Sequence, residues 1–174
     1  MTARSNVKNA REAVIEANNL SKDGERTIEA AQMYNNDGIA YLAKRSNEIV
    51  TAVDLPAING DITAFQKLRR RGSIDFPILN VAVWLRPVKD KKTIEAARIV
   101  IGGITSAPFL SLSAANALIG REITADTIHA AAHASRLDSR PLDNTDLDFS
   151  WRRSMVEVWV RRTLEEAARR ASRF

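Results

Sequence analysis

The chain has 174 residues, 45% of them hydrophobic, a formal net charge of +5 and no cysteine. That length and apolar content suit one core of ordinary size, or one core plus an appendage, and exclude overall disorder. The lack of cysteine excludes disulfides, zinc–thiolate sites and cysteine-ligated iron–sulfur clusters. No apolar run approaches the roughly 20 residues of a membrane span, and the N-terminus lacks the apolar core of a signal peptide, so the expected location is cytoplasmic.

In chain order, "NAREAVIEANNLSKDG" (9–24) is expected to form a short helix closed by Gly24, with a thin apolar face. "RTIEAAQMY" (26–34) is a strand or a docking segment, and "NNDG" (35–38) is turn chemistry. "EIVTAVDLP" (48–56) alternates in strand fashion and stops at Pro56. "INGD" (58–61) turns again, and "TAFQKLRRR" (63–71) is ambiguous between strand and helix. Asp75 is expected to cap one helical turn over "DFPILNV". "VAVWLRPV" (81–88) and "TIEAARIVIGGI" (93–104) read as a hairpin joined by "DKK".

From residue 111 the pattern becomes helical. "SLSAANALIG" runs from a serine to a glycine, and "TADTIHAAAHASRL" starts on a threonine cap. From about Ser150, Trp151, Met155, Val158 and Trp159 make one apolar stripe, widened by Val156, Val160 and Leu164. Strands followed by helices predict an α+β fold: an antiparallel sheet of three to four strands, then three helices on one face. The expected organisation is an N-terminal segment, 1–56, ahead of an α+β domain over 57–174.

Candidate chemistry is sparse. His129 and His133 in "HAAAH" share a helical face at zinc-binding spacing, but no glutamate follows His129 and no third ligand is evident, so no metal is expected. "GG" at 102–103 is neither a dinucleotide fingerprint nor a phosphate loop and reads as close packing or a bulge. "PLDNTDLD" (141–148) lacks the calcium-loop pattern and reads as turn and cap chemistry. The three tryptophans read as core anchors. Residues 61–110 hold 9 Lys/Arg against 4 Asp/Glu, concentrated in Arg69, Arg70, Arg71 and the 89–92 run. No nucleic-acid motif accompanies them, so they read as the edge of a sheet rather than a polynucleotide site. No residues of their own suggest an activated nucleophile or an acid–base pair.

Six stretches in order carry more: "DGERTIEAAQMYNNDG", "NEIVTAVDLP", "FQKLRRRGSIDFPILNVAVWL", "ARIVIGGITSAPF", "ANALIGREIT" and "WRRSMVEVWVRRTLEEA". Together, from about residue 23 to 168, they resemble the C-terminal part of the FAD (medium) subunit of molybdenum hydroxylases. That family includes carbon monoxide dehydrogenase, xanthine dehydrogenase and 4-hydroxybenzoyl-CoA reductase. The resemblance implies a small α+β domain that covers the flavin of an FAD-dependent oxidoreductase. Electrons there pass from a molybdopterin centre through iron–sulfur clusters to FAD. It also implies site residues: Phe76 approaching the ring, Lys67 near it, Val50 as an apolar contact, and Asp75 fixing the turn beside Phe76. The partners implied are an iron–sulfur subunit and a molybdopterin subunit, with neither membrane nor nucleic acid, and a homodimer is left open. The glycine-rich segments that hold the FAD pyrophosphate are not in this sequence, and residues 1–22 lack the strand pattern expected at the end of an FAD domain. Residues 1–56 are therefore expected to be a remnant of that domain plus a linking strand, and FAD is expected to bind only with a separate FAD-binding part, not to this chain alone. The alternative is a non-catalytic protein-interaction module derived from the same family.

Overall fold

A computed structural model describes residues 14–19, 25–57, 60–88, 93–143 and 147–171. The chain divides into two compact units, Met1–Asn59 and Gly60–Phe174.

In the first unit, β1 (Val14–Asn19), β2 (Glu25–Glu29) and β3 (Glu48–Asp54) form an antiparallel sheet in the order β2–β1–β3. The helix expected over 9–24 is corrected here: residues 14–19 are the central strand, paired with β2 on one side and β3 on the other. Helix-tolerant residues such as Glu16 and Ala17 yield to two flanking ladders, because pairing context outweighs weak local propensity. The ladder with β3 slips between Glu16 and Ala17, a bulge the sequence does not announce. "RTIEAAQMY" is a strand that passes into a single 3₁₀ turn, Ala30–Met33. In the "NNDG" turn, Asp37 Oδ1 accepts from the N–H groups of Ile39 and Ala40, each at 2.7 Å.

Glu48 organises this unit. Its carboxylate, 1% exposed, accepts from Arg26 Nε and Nη2 and from the Arg45 backbone N–H, all at 2.7 Å. The Arg26 fork, helped by that N–H, pulls its pKa from 4.5 to about 2. The depressed value fixes the sign: the stabilisation is complete above pH 4.5 and disappears as pH falls towards about 2. Both tyrosines, Tyr34 and Tyr41, lie in this unit and all three tryptophans in the other. An acid titration followed by tyrosine ring resonances is expected to show a transition in that window, absent in Glu48→Gln.

The second unit begins at Gly60, whose φ of 76° favours a residue without a Cβ. β4 (Ile62–Leu68), β5 (Leu79–Pro87), β6 (Ile94–Gly102) and β7 (Phe109–Leu110) form an antiparallel sheet in that order. Three helices follow: α1 (Leu112–Asn116), α2 (Ala125–Asp138) and α3 (Phe149–Ala171). The expected α+β architecture is therefore present, with four strands, and "TAFQKL" resolves as a strand. Strand alternation puts Val81, Val83 and Leu85 in the core with Ile99, Ile101 and Ala97 opposite them. Val156, Val160 and Leu164 of α3 and Ile128, Ala131 and Ala132 of α2 complete that core. α2 starts on a reciprocal cap: Thr124 Oγ1 accepts from Thr127 N, and Thr127 Oγ1 accepts from Thr124 N. Among the described residues no helix is long and apolar enough to cross a membrane.

Three expectations need correcting. The buried row of α3 is Arg152, Val156, Val160, Thr163, Leu164 and Ala167, while Trp151 is 40% exposed. The stripe is rotated because a charged residue occupies its first position, for a reason given below. None of the tryptophans is fully buried: Trp84 and Trp159 are half-buried under arginines, Arg86 at 4.9 Å and Arg162 at 4.7 Å from the ring centres. Nor does Asp75 cap a helical turn. Residues 75–77 are irregular, and Ile78 N donates to Leu68 O at 2.8 Å, so the hairpin ladder resumes where the helix was expected. The "DKK" turn (90–92) and Asn144–Asp146 of the acidic segment lie outside the described residues.

Candidate functional site

The β4–β5 connection, residues 69–78, carries three of the four candidate residues or stands against them. Lys67 is the penultimate residue of β4, and its side chain lies on the sheet face turned away from the helices, with Phe65 and Asn80. Its Nζ donates to the Asp75 backbone carbonyl at 2.6 Å, which ties the strand to the far end of the loop.

Asp75 holds that loop from within. Its Oδ2 accepts from Arg71 N at 3.1 Å; its Oδ1 accepts from Phe76 N at 2.9 Å and from Arg71 Nη2 at 3.3 Å. The Arg71 hydrogen bond is the main cause of a lowered Asp75 pKa. These bonds fix the chain from Arg71 to the backbone N–H of Phe76, and the aromatic ring projects outward, 90% exposed. A phenylalanine this exposed is not core packing. Gly103, with φ of 82°, passes beneath: an added Cβ would lie 3.5 Å from Pro77 and from Leu79. Those are ordinary contact distances, so the backbone conformation of Gly103, rather than the close packing expected of the pair, is what calls for glycine.

Val50 lies in the first unit, on β3, 44% exposed. The two imidazoles on α2 are both exposed, and His133 Nδ1 stands 3.8 Å from Glu157 Oε1. No cluster of three or more His, Cys, Asp or Glu suited to a metal ion occurs among the described residues. In the basic run, Arg69 Nη1 donates to Ser73 O at 3.3 Å and Arg71 pairs with Asp75, so two of its arginines serve the loop itself.

Two residues that sequence reasoning passed over stand out. Asn80 faces Lys67 across the β4–β5 ladder, and its Oδ1 is buried with no partner among the described residues. Such an acceptor is costly unless something donates to it. The signal was a lone amide inside the apolar run "ILNVAVWL". Arg152, 3% exposed, is the other. It donates from Nη1 to Leu142 O at 2.6 Å and from Nη2 to Gly103 O at 2.8 Å. Its signal was its place at i in the i, i+4, i+8 row with Val156 and Val160.

Comparison with known proteins decides the family. Residues 63–167 match the family described as CO dehydrogenase flavoprotein C-terminal domain. The chain belongs to it. The chain is 25% identical over 149 residues to the glyceraldehyde dehydrogenase medium chain of Sulfolobus acidocaldarius, covering 85% of this chain and 51% of that one. It is 29% identical over 147 residues to the nicotine 6-hydroxylase medium subunit of Paenarthrobacter nicotinovorans, covering 84% and 50%. This flavoprotein domain thus spans about half the length of the curated relatives it matches. Among solved structures, carbon monoxide dehydrogenase from Hydrogenophaga pseudoflava, in a form lacking the Mo-pyranopterin moiety, superposes with a TM-score of 0.80 at 26% identity over 92% of this chain and 54% of that one. Quinoline 2-oxidoreductase from Pseudomonas putida 86 shares the fold, with a TM-score of 0.79 at 22% identity over 93% and 54%.

Proposed function

We propose that this chain is the flavin-covering domain of a molybdenum-hydroxylase-type oxidoreductase and works only with a separate FAD-binding part. Residues 1–56, in this reading, are the end of that FAD-binding part plus the strand that links it to the cover. FAD, when bound, supplies the electron-carrying chemistry; this chain supplies what surrounds the ring. The observation that carries the reading is the Lys67–Asp75 contact, which ties a cation on β4 to the loop that bears an exposed aromatic, within the family's matched region.

The residues suit a flavin ring on chemical grounds. A lysine ammonium has three N–H donors and Asp75 O takes one, leaving donors for the carbonyl-rich edge of the ring. Asn80 Oδ1, unpartnered beside it, is an acceptor for the N–H of that edge. The Lys67 charge favours the negative charge the ring takes on when reduced, and the Phe76 ring sheds water from one face. Val50 adds an apolar contact. Asp75 is a positioning residue: it acts by holding Phe76.

The partners in this reading are an iron–sulfur subunit, which delivers electrons, and a molybdopterin subunit, where substrate is oxidised. These 174 residues have no cysteine to ligate a cluster, so the cluster ligands in this reading lie outside them. The cytoplasm is the compartment proposed. Mixed with FAD and passed through a desalting column, the chain alone is expected to emerge colourless, whereas the complete subunit stays yellow. Flavin retained by the chain alone would contradict the need for a separate FAD-binding part.

A further inference from the structure

We infer that Arg152 is a positioning residue for Phe76: from α3 it fixes the backbone on which Pro77 rests, and so sets how the aromatic leaves the loop. Its weight in function rests on the flavin-cover reading; the positioning itself does not. Arg152 heads the buried row that continues with Val156 and Val160, is 3% exposed, and burial pushes its pKa down. Strength alone does not explain a cation there, because an apolar side chain of similar volume often packs as well or better. What the guanidinium supplies is a pair of donors for backbone carbonyls on two other segments, Nη1 to Leu142 O at 2.6 Å and Nη2 to Gly103 O at 2.8 Å. Those segments are joined to each other as well, since Leu142 N donates to Ile104 O at 2.8 Å. One planar fork thus ties the first turn of α3 to the bend that follows β6.

Pro77 is the next link. A Cβ added to Gly103 would meet Pro77 Cβ and Cγ at 3.5 Å, so the bend and the proline are neighbours. Arg152 also borders one cleft, of about 430 Å³, with residues 75–78. The proline ring fixes its own φ and confines the residue before it to extended backbone, and that residue is Phe76. Two anchors therefore act on the aromatic. Asp75 Oδ1 accepts its N–H at 2.9 Å and works within the loop. Pro77 holds its carbonyl side and works across the fold, through Gly103 and Arg152.

Nitrogen-15 relaxation of the full chain, with no flavin present, tests the positioning. The Phe76 amide is expected to have a rigid-backbone order parameter of about 0.85 in wild type and to fall below about 0.6 in Arg152→Met. Val81 and Val83, in the middle of β5, are expected to keep theirs. Arg152→Lys keeps the charge and loses the fork, so a smaller fall confined to the same loop is expected, with both folds checked by circular dichroism. Phe76 as ordered in either folded variant as in wild type overturns the assignment. A fall shared equally by Val81 and Val83 overturns it too, since Arg152 would then be a general support of the core. In the complete flavin subunit with FAD bound, the fine structure of the visible flavin band, which water blurs, is expected to fade in Phe76→Ala and in Arg152→Met alike. A band altered by Phe76→Ala but not by Arg152→Met overturns the link to the flavin. A band that Phe76→Ala leaves unchanged sinks the flavin reading of Phe76 instead, and the relaxation result stands by itself.

Discussion

Asp61→Ala is expected to destabilise the second unit by about 3 kcal/mol, read from urea unfolding followed by tryptophan fluorescence. Asp61 stands at the head of β4, its side chain 4% exposed. Arg86 grips it with two parallel bonds, Nε to Oδ1 and Nη2 to Oδ2, each 2.9 Å, and Trp84 Nε1 donates to Oδ2 at 3.0 Å. Removing the carboxylate leaves a partly buried guanidinium and an indole N–H without their acceptor. Truncating one partner of such a pair costs far more than the pair itself is worth. Asp61→Asn keeps the shape and one acceptor, so a smaller loss is expected, about 1–2 kcal/mol. The pH dependence has a definite sign. The Arg86 hydrogen bond is the leading cause of an Asp61 pKa below 3.8, so the contribution is whole above that value and is lost as pH falls through the lower folded one. Wild type is expected to lose stability in strong acid relative to neutral pH, and Asp61→Ala to lose less.

The second large effect concerns function. In the complete flavin subunit, Lys67→Met is expected to lower the two-electron potential of the flavin by about 30–60 mV, on the scale of 30 mV for about 1.4 kcal/mol. A nearby cation favours the reduced, negatively charged ring more than the oxidised one, so its loss makes reduction harder. Methionine keeps the length of the stem, but the Lys67–Asp75 tie is lost as well. A dye-equilibrated reductive titration measures the shift, and Lys67→Arg separates the two causes. If charge is the cause, Lys67→Arg keeps most of the wild-type potential; if only loop position matters, it does not.

The helical half of the molecule was legible because its signals are local. The Thr124 cap, the glycine after α1 and the long periodic run of α3 each follow from neighbours in sequence. The paired strands β5 and β6 were legible for the same reason: alternation and β-branched residues over a full element. What escaped depends on contacts made at a distance. Residues 14–19 have no strand signature of their own and become a strand by lying between two others. The loop that carries Phe76 is shaped by Asp75 bonding to Arg71 rather than capping a helix, with Leu68 and Ile78 closing the hairpin at its base. Arg152 displaced the expected apolar stripe because two carbonyls, one of them 49 residues away, need its donors. Lys67, Asp75 and Phe76 came from the family resemblance, and the geometry adds how they are linked: one contact from strand to loop and one carboxylate that turns the ring outward.

The most direct test of the cover role is a crystal structure of the complete flavin subunit with FAD bound. The account predicts Lys67 Nζ about 3 Å from an oxygen or nitrogen on the pyrimidine edge of the ring, with Phe76 packed against the ring system. A bound flavin with both residues turned away from it, towards solvent or another surface, would contradict the account.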